Sequence, residues 1–370
     1  MSCGLYIHIP FCRTKCPYCD FYSLPYDNYL AKIYIDILSK EIEKINMEID
    51  TLYIGGGTPT VLPRKLLERL FFSLRKILDR AEEITVEVNP ESIDEEKLLL
   101  FRDYKVNRLS LGLQSLEDSK LKFLGRLHTV KEALQGIEDM HRLGFNNISV
   151  DLIYGLPQEE CDDWSKELAN VIKLPLTHIS CYSLTCEYKT RFYRFRKIID
   201  EGEVANMYIF NIRFLPKRGF YHYEVSNFSR KGFVCKHNLK YWTGGEYLGL
   251  GPSAVSFINN ERKKNISNIK DYIRMCKKDK EPIVYRERLL SKKRAKELAS
   301  LKIRTKEGIL LDEFKELTNF DFFSIEDYRK IISLKEIGLL KFYERNGKIY
   351  RLSLTNKGFL FCDEVSSCLV

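Results

Sequence analysis

No run of about 18 or more uncharged apolar residues occurs in the chain, which excludes a membrane-spanning helix. A secretory signal is missing as well, because Leu5-Tyr-Ile-His-Ile-Pro10 is too short and already polar. The chain is therefore expected in the cytoplasm, with peripheral association to a membrane left open. Internal repeats and low-complexity tracts are also lacking. Concentrated positive charge is missing too: the net charge is +9, yet Lys and Arg are scattered among Glu and Asp. A nucleic-acid footprint would gather them on one face, so no nucleic-acid partner is expected. What remains is an ordinary globular composition, 44% apolar and 30% charged over 370 residues, enough for two or three domains or one large α/β domain with an appendage.

A further absence concerns cysteine. Cys12, Cys16 and Cys19 stand at spacings of four and three, but Asp20, Phe21 and Tyr22 follow and the next cysteine is Cys161. Soft thiolates so spaced select zinc or an iron–sulfur cluster. Tetrahedral zinc would need a fourth ligand nearby. On spacing alone a zinc site or chance stays open. A cubane held by three thiolates keeps one iron free for a substrate or cofactor. The remaining cysteines from Cys161 to Cys368 read as structural thiols in a reducing compartment.

Periodicity organises the rest. Leu5–Ile9 alternates as a strand, and Tyr29–Glu48 carries apolar residues at helical spacing. Strands follow at Thr51–Ile54, Glu83–Pro90, Arg108–Leu113, Asn147–Tyr154 and Thr177–Leu184, separated by helices near 66–78, 94–104, 118–125, 130–143 and 162–172. Six strands alternating with helices predict βα units around a parallel sheet, a partial (β/α)6 barrel over residues 1–190. Functional residues on such a sheet lie at the carboxyl ends of the strands. Residues 191–260, with a helix near 197–217 and an aromatic stretch, are expected to complete the barrel edge. The Lys- and Asn-rich stretch near 260–285 reads as a boundary. Helices and then two β runs split by Asn346-Gly347 predict a smaller winged-helix-like domain over 285–370.

Several strand ends carry chemistry. Gly55-Gly-Gly-Thr-Pro-Thr60 removes side chains so that backbone can approach a ligand, although by itself it is also a plain turn. Glu87, Gln114 and Asp151 lie near the ends of three successive strands. Acceptors and amide donors converging from separate strands suit a ribose diol and an ammonium group. The alternative is structural pairing of these carboxylates with a neighbouring arginine. Arg126 is the cation placed to answer a carboxylate.

The cysteine loop resembles the radical S-adenosylmethionine (SAM) signature, which implies a [4Fe-4S] cluster whose open iron is chelated by SAM. The ordered motifs His8-Ile-Pro-Phe-Cys12, Lys15-Cys-Pro-Tyr-Cys19, Gly55–Thr60, Glu87-Val-Asn-Pro90, Leu113-Gln-Ser115, Leu124-Gly-Arg-Leu-His128 and Asp151–Pro157 resemble one family throughout. It is the family of oxygen-independent coproporphyrinogen III dehydrogenase and its relative, the heme chaperone HemW. The resemblance implies that Gly56, Gly57 and Thr58 receive SAM's amino group. It further implies a SAM site formed with Tyr6, Tyr18, Glu87, Gln114, Arg126, Asp151, Leu184 and Val255.

Three features favour the chaperone branch. Phe21 stands where the dehydrogenase has a fourth cysteine, and only eleven residues precede Cys12 where the dehydrogenase has an N-terminal arm. His237-Asn238-Leu-Lys-Tyr241-Trp242 matches the HNxxYW motif linked to heme. The resemblance thus implies heme as a partner, with His237, Asn238, Tyr241 and Trp242 at its site. An acceptor protein such as a respiratory hemoprotein and an electron donor for the cluster are implied too. A histidine among aromatics is equally the composition of a satisfied core, and Cys235 is an alternative thiolate ligand. Arg191, Arg194, Arg196 and Lys197 suit heme propionates or a solvated helix start. Leu184-Thr-Cys-Glu departs from the family's Pro-Gly turn, so the loop over the site is expected to differ in shape. The rival readings are the coproporphyrinogen dehydrogenase itself and a nucleic-acid-modifying radical SAM enzyme.

Overall fold

The computed structural model describes residues 2–369. Strand β1 (Cys3–Ile9) leads into two short strands, β2 (Phe11–Cys12) and β3 (Leu24–Pro25), that bracket the cysteine loop. There follow α1 (Asn28–Glu43), β4 (Ile49–Gly56), α2 (Arg64–Leu78), β5 (Glu83–Val88), α3 (Glu95–Asp103) and β6 (Arg108–Gln114). The alternation ends with α4 (Asp118–Phe123), α5 (Val130–Arg142), β7 (Ile148–Tyr154), α6 (Cys161–Val171) and β8 (His178–Ser183). The six strands β1, β4, β5, β6, β7 and β8 lie side by side in that order, all parallel. This is the (β/α)6 arrangement expected from the alternation.

Local chemistry accounts for the helices. Thr129 and Glu132 close a capping box at the start of α5, satisfying two otherwise orphaned N–H groups. Along α2, Leu67, Leu70, Phe71 and Leu74 form one fully buried stripe. The strands answer it: Leu5, Ile7, Leu52, Ile54, Ile84 and Val86 are at most 1% exposed and face the helices. Burying each such side chain contributes about 1.5–3 kcal/mol. Because strand side chains alternate, the residues between them face the other way. That second face carries Tyr6, His8, Tyr53, Glu87, Arg108, Ser110, Asp151 and Ser180, and it is unusually polar.

The sheet continues at both edges. After α7 (Glu201–Phe214), strands β9 (Tyr221–Glu224) and β10 (Asn227–Ser229) add antiparallel beyond β8. Helix α8 (Lys236–Trp242) is followed by β11 (Tyr247–Leu250), which pairs parallel with β1. Strands β12 (Val255–Ile258), β13 (Glu261–Asn265) and β14 (Ile283–Arg288) then complete a twelve-stranded sheet. The stretch near 260–285, read as a boundary, thus carries β13 and the start of β14, with α9 (Ile269–Cys276) between them packing Tyr272 against Tyr34 of α1. Charged cross-strand pairs hold these polar strands: Arg262 meets Glu287 at 3.4 Å and Arg286 meets Glu261 at 3.5 Å.

Helix α10 (Ser291–Lys302) opens the last part, followed by β15 (Ile309–Leu310), three short helices, β16 (Leu340–Arg345) and β17 (Lys348–Leu354). Asn346 and Gly347 both adopt positive φ (51° and 73°), as a tight turn between right-twisted strands requires. The two β runs expected as a hairpin are β16 and β17, and β15, which the sequence reading did not include, pairs with β17 to make a three-stranded sheet. This part joins the barrel through the Glu224–Thr305 bridge and the Lys306 N–H, which donates to the Tyr223 carbonyl at 2.9 Å.

Candidate functional site

The cysteine loop hangs from the carboxyl end of β1. Leu24 N–H donates to the Pro10 carbonyl at 2.7 Å and Tyr26 N–H to that of Cys12 at 2.9 Å, so β2 and β3 pinch residues 13–23 together. The Cys19 N–H closes an inner turn on the Cys16 carbonyl at 3.1 Å. All three thiols are free, half-buried and face one cavity of about 470 Å³. The Thr58 hydroxyl lies 3.8 Å from Cys12 Sγ, and Arg126 Nη1 lies 3.6 Å from Cys16 Sγ. Burial pushes the Cys12 and Cys19 thiols up, so a thiolate there calls for cationic partners. Three soft donors set around a cavity, with hydroxyl and guanidinium donors aimed at sulfur, fit an iron–sulfur centre.

The glycine turn presses against this loop. Gly57 N–H donates to the Ile9 carbonyl at 2.8 Å and Thr58 N–H to that of Phe11 at 2.7 Å. A Cβ on residue 57 would stand 2.6 Å from the Phe11 carbonyl and 3.0 Å from Cys12 Sγ. At residue 56, φ is +112° and a Cβ would meet the His8 ring at 2.4 Å. Only glycine fits either place. Gly56, Gly57 and Thr58 therefore present bare backbone to the cavity.

Glu87, Gln114, Arg126 and Asp151 converge on the same cavity from four directions, joined by Tyr18 and Leu184. Glu87 accepts from the Tyr53 hydroxyl at 2.8 Å and from Gly56 N–H at 3.0 Å. Burial pushes its carboxyl up to about 7; the Tyr53 hydrogen bond opposes this and the nearby Asp151 adds to it. Asp151 is raised by burial too, against a hydrogen bond from Ser180. Gln114 adopts φ +67°, a left-handed conformation costing about 1–3 kcal/mol outside glycine, at the point where the β6–β7 register shifts. Such strain at a cavity wall aims a side chain. Arg126 does not pair with these carboxylates. Its Nη2 donates to Asn89 Oδ1 at 2.7 Å and the Gly112 carbonyl at 3.1 Å, and its buried Nε has no partner.

Two expected members stand outside the wall. Tyr6 gives its hydroxyl to His8 Nδ1 at 3.0 Å, while His8 Nε2 faces the Tyr22 carbonyl at 2.8 Å. Tyr53, on the neighbouring strand, takes the wall position instead. Val255 sits in β12 with its backbone against Gly249. Arg194 and Arg196 lie over Phe195 and Tyr193 at 4.7 and 4.0 Å, on a turn whose Phe192 N–H donates to the Pro17 carbonyl.

The HNxxYW stretch forms α8. Glu83 accepts the N–H groups of Lys236 and His237 at 2.8 and 2.9 Å, anchoring the helix start. His237 is 1% exposed, with Nδ1 3.0 Å from Thr51 Oγ1 and Nε2 2.8 Å from the Tyr241 hydroxyl. Burial pushes it down to about 3, so it is neutral, and both ring nitrogens are engaged. In this conformation His237 is a satisfied core residue. Tyr241 packs edge-on against Tyr247 at 4.6 Å, and Trp242 lies beneath Arg304 at 5.8 Å. Asn238 alone of the motif's named residues faces the cavity. Cys235 is buried and pushed up to about 12 by that burial, so it is a thiol.

Sequence reading missed Tyr53, Asn89, Arg108 and Ser180, which all line the cavity. The signal was available: each is a polar residue in or just after a strand whose neighbours are apolar.

Residues 6–168 match the model of the Radical SAM superfamily. The chain is 36% identical to the heme chaperone HemW of Lactococcus lactis, over 96% of this chain and 93% of that one. It is 32% identical to that of Bacillus subtilis, over 84% and 86%, and 35% identical to that of Escherichia coli, over 68% and 69%. Among solved structures, the coproporphyrinogen III oxidase (HemN) of Escherichia coli superposes with a TM-score of 0.85 at 23% identity, covering all of this chain and 90% of that one. At that identity the likeness is one of fold.

Proposed function

The chain belongs to the HemW family, within the radical SAM superfamily, and from that premise we propose that it binds heme and passes it to an acceptor hemoprotein. Cys12, Cys16 and Cys19 hold a [4Fe-4S] cluster in this reading. Gly56 to Thr58, Glu87, Gln114, Asp151 and Arg126 hold SAM against it. Bound there, the pair would supply one-electron chemistry. The observation that carries the proposal is the continuity of one cavity, which is lined at its mouth by the three thiols and elsewhere by Asn238 of the HNxxYW helix. In this reading the cluster and the heme share a wall.

The chain's own residues divide the work. The glycine turn offers backbone, Glu87 and Asp151 offer acceptors to hydroxyl and ammonium groups, and Arg126 offers a cation beside Cys16. The Phe21 side chain, 69% exposed at the cavity mouth, stands where a fourth cysteine would mark the dehydrogenase. An electron donor for the cluster and an acceptor of the heme complete the proposal. Among the described residues no helix is long and apolar enough to cross a membrane.

The test is a heme titration of anaerobically reconstituted protein, beside His237→Ala, with coproporphyrinogen III conversion assayed in the same sample. Stoichiometric Soret growth that weakens in the variant, without protoporphyrinogen, is the expected result. Turnover of coproporphyrinogen returns the dehydrogenase reading to first place.

A further inference from the structure

Arg108 opens β6 and faces the cavity, yet it is 1% exposed and its Nε and Nη1 have no hydrogen-bond partner. Among the described residues it makes no ion pair within 4.0 Å. A buried guanidinium with idle donors is costly unless something answers it. Glu83 helps to balance its charge, but no nearby acid accepts a hydrogen bond from Nε or Nη1. Glu83 spends its oxygens on the N–H groups of Lys236 and His237 and on the Cys235 thiol. Glu87 is taken by Tyr53 and Gly56. Cys235 is a neutral thiol.

We propose that Arg108 is an anchor for a carboxylate, and that the carboxylate is a propionate arm of the heme. This rests on the heme reading above and adds a residue to it. Two placements favour heme over SAM as the source. Arg108 begins β6 and Gln114 ends it, so their backbones stand roughly 20 Å apart along the strand. SAM's amino-acid end belongs at the far end, beside Arg126 and the cysteine loop, beyond Arg108's reach. At the near end, Asn238 of the HNxxYW helix lines the same cavity. Nε and Nη1 lie on different edges of the planar guanidinium, and either one is a free charge-assisted donor for a carboxylate oxygen.

The experiment titrates hemin and hemin dimethyl ester, anaerobically, into cluster-loaded wild type, Arg108→Gln and Arg108→Lys. Wild type is expected to prefer the free acid at least about tenfold, the scale of a charge-assisted hydrogen bond. Arg108→Gln is expected to bind both porphyrins alike, and Arg108→Lys to recover part of the preference. Thermal melting of the ligand-free proteins separates this from a structural role. Because Nε and Nη1 give no protein group a hydrogen bond, Arg108→Gln is expected to melt within a few degrees of wild type. Equal affinity of wild type for acid and ester, or a preference that survives Arg108→Gln, overturns the anchor. So does a melting point in Arg108→Gln lowered by many degrees. Failure of wild type to bind hemin at all overturns instead the heme reading on which the anchor rests.

Discussion

The hydroxyl of Tyr241 lies 2.8 Å from Nε2 of His237, one turn earlier on the same helix. Residues four apart share a helix face, so the motif's own tyrosine occupies the nitrogen that would reach iron. Thr51, from the barrel, holds the other nitrogen at 3.0 Å. The HNxxYW motif is thus closed on itself, and heme ligation by His237 requires α8 to move or Tyr241 to let go.

Tyr241→Phe removes that competitor. The variant is expected to lose about 1–3 kcal/mol of stability, the cost of an unanswered buried polar atom, and to bind heme several-fold more tightly. Chemical denaturation and Soret titration read the two effects. Weaker heme binding in the variant would assign Tyr241 to the heme contact and leave His237 in the core.

The same histidine sets a pH dependence. Burial takes His237 from its usual 6.5 to about 3, so the unfolded chain binds a proton that the folded one refuses between those values. Its contribution to stability is present above pH 6.5 and is lost as pH falls toward 3. His237→Gln abolishes this dependence, so the stability gap between wild type and variant should shrink by about 1.4 kcal/mol per pH unit between pH 6 and pH 4. A constant gap across that range would mean that His237 titrates normally in the folded protein.

Glu87 titrates in the opposite sense. Its carboxyl, raised to about 7 chiefly by burial, becomes charged only near neutrality. SAM carries a sulfonium, so its affinity should rise between pH 6 and pH 8 in wild type, and Glu87→Gln should flatten the rise. Equilibrium dialysis against labelled SAM measures both. A profile that is unchanged in the variant removes Glu87 from the cofactor's contacts.

Gly57→Ala places a methyl 2.6 Å from the Phe11 carbonyl and 3.0 Å from Cys12 Sγ. Neither neighbour is a flexible side-chain tip, so the cysteine loop must shift. Reconstituted variant is expected to hold less than about half the wild-type iron and sulfide per chain, since a thiolate displaced from its position loses its metal bond. Gly144→Ala is the control at a glycine with nothing within 4 Å, where only the left-handed backbone is strained. Full cluster content in Gly57→Ala would show that the loop adapts.

The order of strands and helices through residue 184, the parallel sheet and the positions of the cysteine loop, glycine turn and strand-end carboxylates were legible in the chain. Each is local: alternation, helical spacing and punctuation by glycine and proline act over a few residues, and strand direction follows from helical crossovers. The tertiary structure alone decided the rest. It drew parts of the polar stretch after residue 260 into the sheet as β13 and β14, because Arg262 and Arg286 find Glu287 and Glu261 across strands. It placed Tyr53 rather than Tyr6 in the cavity wall. It showed His237 satisfied by Thr51 and anchored through Glu83, residues far from it in the chain, and Arg108 buried with Nε and Nη1 unpartnered. A buried polar group owes its role to partners that the chain's topology supplies, and nothing in its own neighbourhood in the sequence names them.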